Sequence, residues 1–381
     1  MYLRFDDGTI GELWDPISGF YETADRRWIQ LHCNFPHHRD GVLRVLKCEN
    51  ARDAVATAVN TWPGEELDWV LAEEGLCAAL VRTAREWRNS KPAAAVSRLP
   101  LFEIIKIGDS PAEPLPAGGE RPLSGIRVLD LTRVLAGPTC GRTLAAHGAD
   151  VMRIASPKLP FIEPLVVDTG HGKLSAYVDL DTDAGVETLI RLIGQSDVFC
   201  QAYRPGSLAA RGFAPEALAS MRPGIIYVSF SAYGHEGLWA GRRGFDTLVQ
   251  SASGIADEQG SDGTPRHLPG QALDYVTGYL AAFGAMVALA RRNREGGSYL
   301  VRLSLAQTGH WIDRLGRTKT DGDPRTLPDP GFDEVAELVT KSDTAWGRLT
   351  HLSPLIHMSK TPPRWVRPAV RLGSHPPEWP S

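Results

Sequence analysis

The segment from Pro122 to Ile154, PLSGIRVLDLTRVLAGPTCGRTLAAHGADVMRI, constrains this chain more than any other, because it reads as strand, tight loop, helix and strand in succession. Ile126 to Leu131 is a short apolar, β-branched run and Ala136-Gly137-Pro138 breaks it. Thr139 can cap a helix running to His147, and Gly148 closes that helix before Ala149 to Ile154 resumes as a strand. A crossover of this kind predicts neighbouring parallel strands. Such a unit usually opens a domain, yet more than a hundred residues precede it here, so something is joined in front.

Composition narrows the class of partner. A chain of 381 residues has a prior of roughly two to three domains. The formal charge is -4 with both signs interspersed, which disfavours nucleic acid or an anionic membrane surface and favours a small ligand. The five cysteines (Cys33, Cys48, Cys77, Cys140, Cys200) are odd in number and never paired as C-x-x-C, which argues for reduced thiols and a cytoplasmic setting. The start, MYLRFDDGTIGELW, lacks the basic-then-apolar order of a signal peptide. The longest nearly apolar run, Tyr279 to Ala290, is too short to cross a bilayer and reads as a buried helix.

The pattern predicts an α/β chain whose large domain is a doubly wound, Rossmann-like parallel sheet, with a smaller α+β domain placed N-terminally. The expected division is 1–115 for the small domain and linker, 116–317 for the large domain and 318–381 for a Pro-rich C-terminal segment returning to it. Trp28 to His32 and Leu76 to Val81 read as strands, Ala51 to Thr61 and Glu65 to Glu74 as helices, and Ser90 to Arg121 as the linker. Beyond the opening unit come strands at Ala176 to Leu180, Asp197 to Ala202, Gly224 to Phe230 and Ser298 to Ser304. Helices are expected at Asp183 to Gly194, Gly206 to Met221, Phe245 to Ser253 and Tyr275 to Arg292. In the tail, only Phe332 to Leu338 is helical by pattern. Ligands of such sheets bind at the carboxyl ends of the strands.

Several residues there can carry chemistry. The first loop lacks G-x-G-x-x-G, so a nicotinamide fingerprint is not present, although the helix start near Thr139 can face an anion. Arg204 in Tyr203-Arg204-Pro205-Gly206 follows a strand end, and Arg242-Arg243 precedes another helix; either place suits a phosphate or a solvated surface arginine. Asp274, in GQALDYVTGY, opens an apolar helix, where a carboxylate can serve as a cap or as a nucleophile toward an activated acyl group. His32, Cys33, His37 and His38 form the only tight His/Cys cluster, with no zinc spacing, and no metal is expected.

Taken together, the opening unit, SDVFCQAYRPGSLAARGF, YVSFSAYGHEG, RRGFDTLVQSASG and GQALDYVTGYLAAFGAMVALARR resemble the class III CoA-transferase family (CaiB/BaiF) over about Pro122 to Ala306. The resemblance implies coenzyme A as acyl-CoA substrate, a small carboxylic acid as acceptor, and Asp274 as nucleophile forming an anhydride and then an aspartyl-CoA thioester. It implies CoA contacts at Arg133, Val134, Leu135, Ala136, Tyr203 and Arg204, with Arg243 or Arg242 supplying charge and Arg211 standing in for a family arginine one residue earlier, and a homodimer. Phe245 occupies the position of the racemase branch's histidine, which favours transfer over racemisation. The chain departs from the family at Gln201, Ala202 and Asp181, where a Glu-Asn pair and a CoA-facing Lys are usual, and at Ala155. An acyl-CoA racemase or isomerase, or a non-catalytic CoA-binding partner subunit, are the alternatives. The segment GFYETADRRWIQLHCNFPHH resembles the family's small domain, which ordinarily follows the large one, so the order looks permuted or like the later part of a longer ancestor.

Overall fold

The structure is a computed structural model and describes residues 2–8, 11–318, 328 and 330–380. Its strands are β1 (Leu3–Phe5), β2 (Gly19–Glu22), β3 (Trp28–Leu31), β4 (Ala78–Leu80), β5 (Glu103–Gly108), β6 (Arg127–Asp130), β7 (Asp150–Ala155), β8 (Lys173–Tyr177), β9 (Val198–Gln201), β10 (Ile226–Ser231), β11 (Ser298–Ser304), β12 (Val339–Thr344) and β13 (Gly347–Leu352). Seven form one sheet in the order β5-β11-β10-β9-β6-β7-β8, parallel throughout except for β5, which runs antiparallel to β11. The chain is therefore mixed α/β with a large, parallel-rich sheet.

Alternating side chains of this sheet enter two separate cores. Val128, Val151, Val198, Val228 and Val301 pack on one face with the helices Ala136–Ala146, Asp246–Ala252 and Ala272–Glu295. Leu129, Met152, Phe199 and Tyr227 pack on the other with Leu189, Leu192 and Leu218 of the helices Asp183–Ile193 and Pro215–Met221. Burial on both faces is what a parallel sheet requires. The strand order reverses between β6 and β9, which opens a crevice at their carboxyl ends.

A second sheet, β2-β3-β4, has its own core under the helices Pro36–Leu46, Arg52–Val59 and Gly64–Glu73, built on Ile29, Leu31, Val42, Val55, Leu67 and Leu71. It is tied to the large sheet's side by Asp68, which accepts from Arg82 at 3.0 Å and from Arg242. Those two guanidiniums hold the buried Asp68 carboxyl below the ordinary carboxylate range against the effect of burial. The third sheet pairs β1 with β13, and β13 with β12.

Some expectations from sequence need correction. The stretch read as a linker forms the helix Lys91–Val96, whose Ala93 and Val96 enter the main core, and then β5. The helix expected from Thr139 begins at Ala136 with no side-chain cap, because Pro138 in the first turn removes an N–H that has no helical partner anyway. The strand expected at Ala176 to Leu180 is β8, three residues earlier, since the polar-looking Lys173 is buried and ion-paired. Gly206 to Met221 is broken by Gly212, at φ 87°, into a 3-10 turn and the short helix Pro215–Met221. The run Tyr279 to Ala290 lies in a 24-residue helix, long and apolar enough to cross a membrane by length and composition, of which 56% of the apolar window is buried in this fold. The helix Leu305–Arg314 was missed. Phe332 to Leu338 yields a 3-10 turn at Ala336–Leu338, and the tail carries the β12–β13 hairpin. Of the tail, 319–327, 329 and 381 lie outside the described residues.

At the end of β6, Asp130 is fully buried and accepts from Lys173 Nζ at 2.7 Å, and the same ammonium donates to the Pro138 carbonyl at 2.7 Å. Replacing Lys173 by Met strands a buried carboxylate, so Lys173→Met is expected to lower stability by about 3–5 kcal/mol. Lys173→Met/Asp130→Asn, which removes the charge, is expected to recover much of the loss in urea unfolding; equal stability of the single variant and wild type would contradict this.

Candidate active site

The helix Ala272–Glu295 starts awkwardly. Gly270 and Gln271 are both left-handed, at φ 72° and 54°, and no side chain of the turn caps the helix. The cap comes from elsewhere: Asp246, first residue of the helix Asp246–Ala252, accepts the Asp274 N–H at Oδ2 at 2.9 Å and also takes the Leu273 N–H. Its Oδ1 accepts from the Gln250 amide, whose own oxygen accepts the Leu268 N–H at 2.7 Å. Asp274 is thus not the cap that its position suggested. Its carboxyl is left for other chemistry.

The two acids are buried together, Asp246 completely and Asp274 at 8% exposure. Burial, and then the charge of Asp246, push the Asp274 carboxyl well above its ordinary range. Asp246 itself is pushed up to about 6 by burial, opposed by the N–H groups of Asp274 and Leu273 and the Gln250 amide. No ion pair to Arg, Lys or His relieves either acid among the described residues.

One turn beyond Asp274, Gly278 lies against the first turn of the helix Ala136–Ala146. A Cβ there would meet the Ala136 carbonyl oxygen at 2.5 Å and Thr139 Cβ at 2.7 Å, so only glycine permits the crossing. This brings Asp274 within one helical turn of the loop Arg133–Ala136. In that loop Val134 is at φ 70°, a costly conformation for a β-branched residue and one that clusters at functional sites. Leu135 and Ala136 are buried. Arg133 donates to the Pro160 carbonyl and lies 5.2 Å from the Phe35 ring centre, and Phe35, Arg133, Val134 and Ser156 line a small cleft.

The loop after β9 adjoins. Gln201 accepts the Tyr203 N–H at 2.9 Å and donates to Ser229 at 2.7 Å, so the departure at this position serves to hold Tyr203. The charge of Arg133 bears on Tyr203, and Arg204 is exposed. Arg243 donates to His38 Nε2 at 3.0 Å, whereas Arg242 is engaged by Asp68 and lies 4.3 Å from the Trp239 ring centre. Arg211 does not stand as an open cation: it is bound to Asp181 at 2.8 Å and to the Leu180 carbonyl at 2.7 Å, and Asp181 also meets Lys158.

Two residues that sequence reading missed, Asp246 and Phe35, complete the surroundings together with Phe245 and His32. Asp246 was hidden because its partner N–H lies 28 residues on. Phe245 stacks on His32 at 3.9 Å and 10°, and Phe35 approaches Phe245 at 6.2 Å. Burial pushes His32 down to about 4, so a neutral imidazole lies against Phe245. Among the described residues no three His, Cys, Asp or Glu side chains are grouped so as to hold a metal.

The sequence profile of CoA-transferase family III matches residues 123–315. An acyl-CoA transferase of Gibberella moniliformis is 34% identical over 312 residues, covering 76% of this chain and 55% of the relative. An acetyl-coenzyme A transferase of Hypoxylon pulicicidum is 30% identical over 324 residues, covering 78% and 54%. The crystal structure of a CaiB/BaiF family protein from Brucella suis covers 60% of this chain and 65% of its own at 26% identity and a TM-score of 0.48. The chain spans about half the length of the curated relatives it matches.

The geometry of the acid pair makes a prediction. In Asp246→Asn the side-chain oxygen can still accept the Asp274 N–H but carries no charge, so Asp274 is expected to titrate at lower pH. Carboxyl-carbon NMR of the two proteins reads this directly, and an unchanged Asp274 titration would refute it. Asp246→Ala, which leaves two buried backbone N–H groups and the Gln250 amide without an acceptor, is expected to cost about 1–3 kcal/mol of stability per orphaned group.

Proposed function

This chain belongs to CoA-transferase family III, and from that membership we propose that it moves CoA from an acyl-CoA thioester to a small carboxylic acid through Asp274. The observation that carries the reading is the buried Asp274 carboxylate, set by Gly278 one turn from the loop Arg133–Ala136 that the family resemblance assigns to CoA.

In the proposed reaction the Asp274 carboxylate attacks the thioester carbonyl, the C–S bond breaks and CoA thiolate departs, leaving a mixed anhydride. The thiolate then attacks the Asp274 carbonyl, releasing the donor acid as carboxylate and giving an aspartyl-CoA thioester. An acceptor carboxylate displaces CoA thiolate from that thioester, and the thiolate returns to the acceptor's acyl carbon, restoring Asp274. No net proton is required. The nucleophile must be ionised, and burial beside Asp246 makes the ionised form costly and hence reactive. The start of the helix partly offsets that cost, because its N–H groups carry partial positive charge. Phosphates of CoA are assigned to Arg133, Arg204 and Arg243, with Tyr203 beside them. Arg211 and Asp181 hold each other and contribute shape rather than charge.

Phe245 favours transfer over racemisation, since Phe accepts no proton and burial, which pushes the stacked His32 down to about 4, leaves that imidazole a weak base. We place the protein as a homodimer in a reducing compartment. The exposed Phe283, Leu355 and Ile356 (53%, 57% and 50%) suit burial against another copy, and all five thiols are free.

The test is the intact mass of the protein mixed with a panel of acyl-CoAs and trapped with hydroxylamine or borohydride. An adduct mapping to Asp274 and lost in Asp274→Ala supports the reading, and CoA binding with no adduct for any donor refutes it. Turnover should fall to background in Asp274→Ala. The kcat/KM profile should rise with pH, with its midpoint above the ordinary carboxylate range, because Asp274 must deprotonate against burial and the Asp246 charge.

A further inference from the structure

We propose that the start of the helix Pro36–Leu46, with His37 and His38, combines with Arg133, Arg204 and Arg243 to bind a phosphate group of CoA, so that the small three-stranded unit takes part in holding the coenzyme. The identity of the ligand rests on the family reading above. The site itself rests on the convergence of charge.

The three arginines come from three different loops, after β6, after β9 and before Asp246, and none has a carboxylate partner among the described residues. Arg82, Arg211, Arg222, Arg242 and Arg302, by contrast, are all engaged by acids. Two of these three, Arg133 and Arg243, meet at the start of the helix Pro36–Leu46, and the charge of Arg204 reaches the same neighbourhood. Arg243 donates to His38 Nε2 at 3.0 Å, and Arg133 lies over Phe35, the residue preceding the helix. The charge of Arg204 bears on Cys77, whose Sγ is 3.6 Å from the same His38 nitrogen. The His37 and His38 rings lie 4.1 Å apart, and the charges of Arg243 and Arg133 bear on both.

Among the described residues no carboxylate of the small unit is ion-paired with these three arginines. The helix has no side-chain cap, Pro36 has no N–H, and His38 and Arg39 both donate to the Phe35 carbonyl, which leaves the His37 N–H at a helix start suited to an anion. Asp40, the one acid that bears on His37, is 64% exposed and held by Arg39, which also approaches Asp15. His38 is 4% exposed, and its Nδ1 has no hydrogen-bond partner. Burial, the neighbouring imidazoles and the two guanidiniums push His38 down to about 3; burial and the guanidiniums also lower His37. A region that keeps imidazoles neutral beside two guanidiniums without acid partners, with a third cation on the adjoining loop, is complementary to a multiply charged anion of phosphate type.

The test is calorimetric titration of the whole protein with CoA, 3′-dephospho-CoA and pantetheine, for wild type, His37→Gln and Arg243→Gln. His37 is exposed, so its variant should fold normally. Each variant is expected to bind CoA about five- to tenfold more weakly and pantetheine unchanged. Loss of the difference with 3′-dephospho-CoA assigns the site to the 3′-phosphate, and its persistence assigns it to the diphosphate; either supports the proposal. Wild-type affinity for CoA in His37→Gln overturns it. If that happens while acyl-CoA still labels Asp274, the family reading stands and only this site falls; if wild type binds neither CoA nor acyl-CoA, both fall.

Discussion

Beneath the candidate site, Lys173 at the start of β8 reaches across to Asp130 at the end of β6 and to the Pro138 carbonyl in the first turn of the next helix. All three groups are out of water, so the ammonium is what makes the carboxylate tolerable, and the carboxylate what makes the ammonium tolerable. Asp130 also accepts the Thr132 N–H at 3.0 Å, so one carboxylate fixes the chain as it leaves the strand. The helix can lie this low only because Gly141 has no side chain: a Cβ there would sit 2.7 Å from Asp130 Oδ2. With both ends of the loop held, Arg133 to Ala136 has little choice of path. Val134 is driven into the left-handed region, and the Ala136 carbonyl is presented to Gly278. The position of Asp274 follows from that contact.

What was legible in the sequence is what is local. The unit from β6 through β7 was readable because its periodicity, its turn glycine at Gly148 and its β-branched run lie within thirty residues of one another. β5 was not, because a short apolar run between prolines becomes a strand only beside β11, where Glu103 meets Arg302 at 2.6 Å across 199 residues of chain. The site divides the same way. Asp274 and the arginines stand out by type and place, and the family resemblance supplies their roles. That Arg211 is neutralised by Asp181, or that Gln201 holds Tyr203 through Ser229, depends on partners about thirty residues off along the chain. Asp246 reads in sequence as an ordinary first-turn acid, and only the fold reveals that it caps a different helix.

The charges around the site are segregated. On one side lie guanidiniums without acids, and on the other lie two acids without cations. A cation beside Asp274 would stabilise its resting carboxylate and so blunt it as a nucleophile, while leaving less reason for the anion to react. In the proposed reaction each covalent form of Asp274, anhydride or thioester, is neutral, and the repulsion from Asp246 vanishes on forming it. The acid pair therefore raises the free carboxylate relative to the acylated states, an interaction that differs between resting enzyme and intermediate as catalysis requires. The coenzyme's own negative charge must then be met elsewhere, far enough from Asp274 not to add to that repulsion. The acid-free arginines, gathered at the edge of the small unit, lie where that charge would be received.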